Sequence, residues 1–145
     1  MHILIEKAAR LLTLTDGDTR RTFPIALGKC PEGRKEQQGD NKTPEGHYHV
    51  CLKKMGKYGP SLGVSYPSLE DAARFGADGH LLSLIRQAEE NRTRPPWGSP
   101  MGGEIYIHAG GTGLDWTAGC IALSDEDAKT LYDLCPTGTP IDIIP

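Results

Sequence analysis

Short apolar runs, many of them alternating with polar residues and separated by glycine or proline, recur along most of this chain. Alternation with a period of two is typical of strands that bury one face. Asp16-Gly17-Asp18 supplies a tight turn between two such runs, so the chain is expected to begin as a β-meander. The predicted strands cover residues 3–6, 10–15, 19–27, 46–53, 60–66, 104–108, 120–123 and 139–144.

Two segments carry the signals of helices instead. The segment 68–91 is predicted to be helical with a break at 76–79, and Ser68, which precedes acidic residues, is its expected N-cap. Ser124 is expected to begin another helix over 125–134, where apolar residues recur at helical spacing. The first segment is expected to pack on the sheet, and the alternative is a lid over a cleft. The whole pattern predicts a mostly β fold of the α+β class.

Composition narrows the class of protein further. A chain of 145 residues has the usual size of one domain, so residues 1–145 are predicted to form a single domain. Its 18 glycines and 11 prolines favour short elements joined by turns over a long helical bundle. Since the net charge is only −3, the chain has no strong field for nucleic acid or for an anionic membrane, and neither partner is expected.

The cellular compartment is only partly indicated by the sequence. Residues 1–7 have the features of neither a signal peptide nor a membrane span, so an export signal was removed or export uses another route. The four cysteines form no CxxC pair, which disfavours a zinc knuckle. A disulfide between Cys30 and Cys51 is one interpretation, and inert buried thiols at Cys30, Cys51 and Cys135 are the other.

One histidine and one cysteine stand at the mouths of two apolar runs, His108 after Ile105-Tyr106-Ile107 and Cys120 before Ile121-Ala122-Leu123. A free thiol has a pKa near ~8.5 and is mostly protonated at neutral pH, so a neighbouring imidazole that takes its proton makes it a useful nucleophile. This interpretation requires the sulfur to lie within proton-sharing reach of the imidazole, in a site open to solvent.

Several motifs follow one another along the chain. They are Gly39-Asp40-Asn41-Lys42-Thr43-Pro44-Glu45-Gly46, Ile107-His108-Ala109, Thr117-Ala118-Gly119-Cys120-Ile121-Ala122-Leu123 and Gly138-Thr139-Pro140-Ile141-Asp142-Ile143. The polar residues of the first motif are expected to hold its turns together. Together the motifs resemble the L,D-transpeptidase catalytic domain, also called YkuD, over nearly the whole chain. The resemblance implies a mixed β-sheet fold with a C-terminal helix and a helical insertion, and activity on the stem peptides of bacterial peptidoglycan.

By this resemblance Cys120 is the nucleophile and His108 is the base. The thiol would attack the carbonyl at the L-centre of a diamino acid, usually meso-diaminopimelate at stem position three, and expel D-alanine to leave a thioester. The carbonyl of Ala109 would orient the histidine, and the N–H groups of Ala118, Gly119 and Cys120 would form an oxyanion hole. A side chain at Gly119 would obstruct the approach of substrate to the thiol.

The resemblance also implies a peptide site and its partner. The residues expected to bind substrate are Tyr106, Trp116, Thr117, Ala118 and Trp97, and packing is the alternative role of the two tryptophans. The chemistry needs no metal and no organic cofactor. The partner is the peptidoglycan stem peptide, the protein is expected to be a monomer, and its location is the periplasm or cell envelope. The acyl acceptor stays open between an amine of a second stem, an amine of a protein, and water.

The chain departs from the family pattern at two positions. Ala118 stands where the family usually has histidine, and Ala122 stands where it often has arginine or asparagine, so two polar groups near substrate are missing. The resulting GC-x-A motif resembles a subgroup that includes peptidoglycan hydrolases as well as transpeptidases. An L,D-carboxypeptidase or amidase-type hydrolase, and a non-catalytic peptidoglycan-binding module, are therefore the alternatives.

His47 and His49 offer an interpretation from another class of enzyme. They lie two residues apart on a predicted strand and point to one face, where with His108 or Asp40 they have the ligand types of a zinc hydrolase site. Alternating polar residues on a solvent-facing strand also account for them.

Overall fold

The fold consists of eight strands and three helices, and the computed structural model describes residues 1–145. The strands are β1 (His2–Glu6), β2 (Leu11–Asp16), β3 (Thr19–Pro24), β4 (Gly46–Gly56), β5 (Gly59–Val64), β6 (Tyr106–His108), β7 (Ile121–Ala122) and β8 (Pro140–Ile144). The helices are α1 (Leu69–Phe75), α2 (Gly79–Asn91) and α3 (Asp125–Leu134). The expected mostly β, α+β class is confirmed.

All eight strands belong to one mixed sheet, in the order β3-β2-β1-β8-β4-β5-β6-β7. β1 pairs in parallel with β8, and β6 pairs in parallel with β7, while the other neighbours are antiparallel. The chain that follows β3 bridges to the opposite edge, where Ala26 pairs with Ala122 and Gly28 pairs with Thr117. These bridges bring the two ends of the sheet together, so the sheet is curled.

The core face of the β5–β6–β7 region is defined by strand register. Leu62 pairs with Ile107 and Ile107 pairs with Ile121, and all three are buried. α3 packs on β5 and β6, with Ala128 and Leu131 buried. Because successive side chains of a strand point to opposite faces, the residues between these apolar ones face away from α3. That second face carries the candidate site.

The predicted helical segment and its break are found as expected. Ser68 accepts a hydrogen bond from the N–H of Asp71 in a capping box, and Gly76 ends α1 in the left-handed conformation. Ala72 of α1 and Ile85 of α2 are fully buried in the main core. The segment therefore packs into the protein, and the lid alternative is wrong.

Three predicted strands are shorter in the structure by two residues or more, and backbone conformation gives the reason for two of them. The predicted strand 104–108 begins only at Tyr106, because Glu104 has a φ of 54°. The predicted strand 120–123 shrinks to two residues after a turn in which Gly119 has a φ of 137°. Positive φ lies outside the extended region, so it interrupts a strand. The predicted strand 19–27 is regular only to Pro24.

Candidate active site

Strand register brings His108 and Cys120 to the same face of the sheet. His108 in β6 pairs with Ala122 in β7. Two residues earlier in each segment, Tyr106 and Cys120 are therefore neighbours on the same face. The N–H of Tyr106 donates to Cys120 Sγ at 3.3 Å. The two chemically reactive side chains indicated by the sequence therefore lie on neighbouring strands, facing away from α3.

The imidazole of His108 is oriented by the main chain. Its Nδ1 is hydrogen-bonded to the carbonyl oxygen of Ala109. Since a carbonyl only accepts, Nδ1 carries the proton and Nε2 keeps its lone pair. Nε2 makes no hydrogen bond within the protein. Since every buried side-chain nitrogen of the structure has a hydrogen-bond partner, Nε2 is not buried and is reached by solvent.

The protonation state of His108 follows from its surroundings. Burial lowers the pKa of His108, and the hydrogen bond to the Ala109 carbonyl opposes this effect. The ring is therefore neutral at neutral pH, with an open acceptor nitrogen. This is the form in which an imidazole accepts a proton from a nucleophile.

Two aromatic side chains enclose the His108 ring. Tyr58 stacks on it with ring centroids 4.6 Å apart and planes at 13°, and Trp116 meets it edge-on at 5.8 Å. The Trp116 indole N–H donates to the carbonyl of Gly111 at 3.1 Å. Tyr58 carries no signal in the sequence. It is placed over His108 because β4 extends to Gly56 and the β4–β5 hairpin turns there.

The Cys120 thiol is partly exposed and bonded to the main chain. Besides accepting from Tyr106, it donates to the carbonyl of Glu104 at 3.6 Å. Burial raises the pKa of the Cys120 thiol, while the Tyr106 N–H and the Lys35 ammonium oppose the shift. No hydrogen bond joins the thiol to His108, so direct proton sharing, which the sequence interpretation requires, is not made in this conformation.

The turn before Cys120 is held by the hydroxyl of Thr117. This hydroxyl donates to the carbonyl of Cys120 at 2.8 Å and accepts from the N–H of Gly119 at 3.1 Å. Thr117 is only 4% exposed, so it lies beneath the site and shapes it. Its hydroxyl is bonded within the protein, and a contact between Thr117 and substrate stays a prediction. Ala118 is exposed beside the thiol.

The same bonds bear on the predicted oxyanion hole. The Gly119 N–H is already bonded to Thr117, which removes it from the expected set of three donors. The N–H groups of Ala118 and Cys120 have no partner within the protein. These two remain as free donors next to the sulfur, and two main-chain donors are sufficient for an oxyanion hole.

Gly119 is required for a reason other than substrate access. A Cβ at this position would lie 2.7 Å from the carbonyl oxygen of Lys42 and 3.1 Å from a methyl of Ile105. Its φ of 137° is also unfavourable for other residues. The turn is thus packed tightly against the loop 39–46.

The loop 39–46 is fixed by its own polar residues, as expected. The Asp40 carboxylate accepts from the Lys35 ammonium at 2.8 Å and from the main-chain N–H groups of Glu36, Gln37 and Lys42. The Thr43 hydroxyl accepts from the N–H of Gly28 at 3.1 Å.

The buried side chain of Lys7 fastens the same loop from the other side. Its ammonium donates to the carbonyls of Gly33 and Thr43, each at 2.8 Å, and to Glu45 at 3.0 Å. Burial lowers the pKa of Lys7, and the Glu45 hydrogen bond opposes this shift. A satisfied buried charge of this kind holds its partners in one arrangement.

A second aromatic pair borders the thiol. Trp97 meets the ring of Tyr106 edge-on at 5.6 Å, and its indole N–H donates to the carbonyl of Tyr66 at 2.9 Å. Both side chains are partly exposed. Most of the predicted site residues are thus brought together: Tyr106 binds Cys120 through its N–H, Trp97 contacts Tyr106, and Trp116 contacts His108.

Residues 1–143 match the model of the YkuD family, the L,D-transpeptidase catalytic domain. The chain belongs to this family. No match was found among the curated protein sequences. The longest helix has 13 residues, and none of the helices has the length and hydropathy that a membrane span needs.

Several solved structures share the L,D-transpeptidase fold with this chain. The helical cell shape determining protein Pgp2 from Campylobacter jejuni is 21% identical with a TM-score of 0.67, covering 97% of this chain and 46% of that one. The L,D-transpeptidase from Mycobacterium smegmatis is 17% identical with a TM-score of 0.57, covering 99% and 58%. L,D-transpeptidase 1 from Mycobacterium tuberculosis is 16% identical with a TM-score of 0.58, covering 99% and 61%. The chain thus spans about half the length of these proteins.

The zinc interpretation does not fit this L,D-transpeptidase domain. His47 is exposed and bonded to Asp142, whereas His49 is buried and bonded to the carbonyl of Thr93 at 2.9 Å. No group of three histidine, cysteine or acidic side chains is placed to hold a metal ion. The description of both histidines as solvent-facing is also wrong for His49, which the chain after α2 covers.

The other cysteines are free thiols. Cys30 is exposed, and Cys51 and Cys135 are buried. Burial raises the pKa of Cys51 to about 12 and that of Cys135 to about 11, so both are unreactive at neutral pH. The Cys30–Cys51 disulfide is absent from the structure, and the expectation of a buried thiol is wrong for Cys30.

Proposed function

We propose that this L,D-transpeptidase-family domain is a cysteine-dependent L,D-transpeptidase that acts on peptidoglycan stem peptides in the periplasm or cell envelope. The observation that carries the proposal is the orientation of His108. Its Nδ1 is held by the Ala109 carbonyl, and its open Nε2 lies on the sheet face that also carries the Cys120 thiol. Without that orientation the cysteine would have no base.

The proposed acylation begins with transfer of the thiol proton from Cys120 to Nε2 of His108. The sulfur forms a bond to the carbonyl carbon at the L-centre of the diamino acid, and the carbonyl oxygen becomes an oxyanion facing the N–H groups of Ala118 and Cys120. The C–N bond to D-alanine then breaks, and the imidazolium gives its proton to the departing amine. A thioester on Cys120 and neutral His108 remain.

The resting thiol must first leave its main-chain partner. Because Sγ donates to the Glu104 carbonyl and not to His108, rotation about the Cys120 side chain precedes proton transfer. The raised pKa of Cys120 and the lowered pKa of His108 together favour a neutral thiol and neutral imidazole at rest. The histidine thus acts as a general base during attack, without a preformed thiolate.

The second half-reaction decides between transfer and hydrolysis. An amine of a second stem that attacks the thioester yields a cross-link, and water yields a trimmed stem.

The departures at Ala118 and Ala122 motivate the non-catalytic alternative, but Ala122 is fully buried and both its main-chain groups pair with Ala26. The side chain of Ala122 is therefore not exposed to a ligand.

The test compares the wild-type chain with Cys120→Ala and, as a matched control, Cys30→Ala. Each is incubated with a tetrapeptide stem, with and without a second stem as acceptor, and products are identified by mass spectrometry. We expect the D-alanine to be released by wild type and Cys30→Ala, a covalent mass increase on the intact protein, and no product from Cys120→Ala. Undiminished turnover by a folded Cys120→Ala variant would exclude the mechanism. Binding without turnover by wild type would favour the non-catalytic module.

A further inference from the structure

Three cations lie over the aromatic rings that border the candidate site. Lys54 Nζ is 5.2 Å from the centroid of the Tyr106 ring, and Lys57 Nζ is 5.4 Å from that of Tyr58. The Arg94 guanidinium is 5.2 Å from the centroid of Trp97. Tyr58 stacks on His108, Trp97 contacts Tyr106, and the N–H of Tyr106 binds the Cys120 sulfur. Positive charge is therefore concentrated at the rim of the site.

These three cations have no carboxylate partner. Five other lysines and arginines of the chain are paired with acids: Lys7, Arg10, Lys35, Arg74 and Lys129. Lys54, Lys57 and Arg94 form no such pair. An unpaired cation at the rim of a peptide site is available to an anionic group of the ligand.

Strand register singles out Lys54 among the three. Lys54 pairs with Ser61 across β4 and β5, and Ser61 pairs with His108 across β5 and β6. Residues that are directly opposite in neighbouring strands point to the same face, so Lys54 is on the face of His108 and Cys120. It is attached to a strand, and its ammonium reaches Tyr106, whose N–H binds the sulfur.

We propose that Lys54 selects substrates that carry a free carboxylate near the scissile bond over substrates in which that group is a carboxamide. This inference rests on the proposed function, because it assigns specificity within the same site. The ammonium is a compact charge with three donors, so it binds a carboxylate through a charge-assisted hydrogen bond and gains little from an amide. Lys57 and Arg94 add a field of the same sign.

The nearby acid, Glu104, defines the direction of this selection. Glu104 lies next to the thiol, because its carbonyl accepts from Cys120 Sγ at 3.6 Å, and its exposed carboxylate has no hydrogen-bond partner. A carboxylate of the ligand is repelled from Glu104 and attracted to Lys54. The two side chains thus fix where an anionic group is placed relative to the sulfur.

The test measures kcat/KM for two tetrapeptide stems that differ only in carboxylate or carboxamide on the diamino acid. The proteins are wild type, Lys54→Gln, and Arg20→Gln, a control that removes one positive charge from the remote strand β3. Because a hydrogen bond to a charged group is worth about one tenfold step in affinity or more, we expect Lys54→Gln to lose about tenfold with the carboxylate stem. The carboxamide stem should change less than about twofold, and Arg20→Gln should match wild type with both stems.

A binding experiment separates this inference from the proposed function. The dissociation constants of both stems are measured by calorimetry for Cys120→Ala and for Cys120→Ala with Lys54→Gln. Tighter binding of the carboxylate stem that disappears with Lys54→Gln supports the inference, even if wild type releases no D-alanine and the proposed function fails. Turnover by wild type combined with equal effects of Lys54→Gln on both stems, or with no effect, overturns the inference and leaves the proposed function intact.

Discussion

The two ends of the curled sheet are built in different ways. β1, β2 and β3 are five or six residues long and pair along their full length, and the tight turn at Gly17-Asp18 joins β2 to β3. At the site, β6 has three residues and β7 has two. There the geometry depends on individual side-chain bonds to the main chain, such as those of Thr117 within the turn before Cys120.

Asp115 shows how strongly the site depends on such single bonds. Its carboxylate accepts from the N–H of Leu27 at 3.0 Å and from the Arg10 guanidinium at 2.8 Å. The loop between His108 and Cys120 is thereby fastened to the chain after β3. Long strand pairings distribute stability over many bonds, so a single substitution should have larger effects at the site than among β1–β3.

The histidines illustrate the same contrast between the two regions. His108 is buried between Tyr58 and Trp116, and burial lowers its pKa. His47 is 84% exposed at the junction of β4 and β8, and its hydrogen bond to Asp142 raises its pKa. The pKa values of the two histidines are thus shifted in opposite directions, because His108 is desolvated and His47 is paired with a carboxylate.

The largest expected effect tests which of these histidines serves the reaction. We expect His108→Gln to lower kcat/KM for a stem tetrapeptide by about 10²–10⁴-fold, the usual contribution of a general base. His47→Gln, which changes an exposed side chain far from the thiol, should retain wild-type kinetics. If both variants lost activity equally, or neither did, His108 would not have the role of base.

An intermediate effect is expected from glycine substitutions in the two regions. Gly119→Ala places a Cβ 2.7 Å from the Lys42 carbonyl oxygen, whereas Gly17→Ala meets no atom within 4 Å. Both positions have positive φ, so the second variant should lose about 1 kcal/mol of unfolding free energy from backbone strain alone. Gly119→Ala should lose about 3 kcal/mol or more, since a main-chain collision adds to the strain. Urea denaturation measures both, and equal losses would contradict the packing described for the loop 39–46.

The smallest effect is a pair of pKa shifts in opposite directions. In an NMR titration, His47 should titrate above and His108 below the ordinary histidine pKa of about 6.5. Because the base must be neutral, activity that depends on His108 should persist at pH values somewhat below that figure. Asp142→Asn should return the His47 resonance toward the ordinary value and leave His108 unchanged. Shifts of both histidines in the same direction would remove the contrast.

Local signals in the sequence were sufficient for several elements. Ser68 and Ser124 mark the starts of α1 and α3, since each side chain caps a helix at its own position. The Asp16-Gly17-Asp18 turn predicts the β2–β3 hairpin, which the structure contains. These signals are read within four or five residues of chain, so no tertiary contact is needed to interpret them.

The site required more than local signals. Thr117 is buried, and its main-chain groups bond to Leu27 and Lys29 in the chain after β3, so its position depends on a remote segment. Gly119 was expected to keep the thiol accessible, but the atom it must avoid belongs to Lys42, which is remote in sequence. Both contacts join residues that are far apart in the sequence, so the periodicity of apolar residues cannot predict them.

The sequence by itself determined the family, the β-rich class, the helix starts, and the identity of the one cysteine and one histidine at the mouths of apolar runs. Only the tertiary structure decided that Tyr58 covers His108, that Lys54 lies on the same sheet face as His108, and that the resting thiol bonds to the Glu104 carbonyl. The reason is physical. Motifs and caps depend on neighbours along the chain, whereas these contacts depend on strand order and register across the curled sheet.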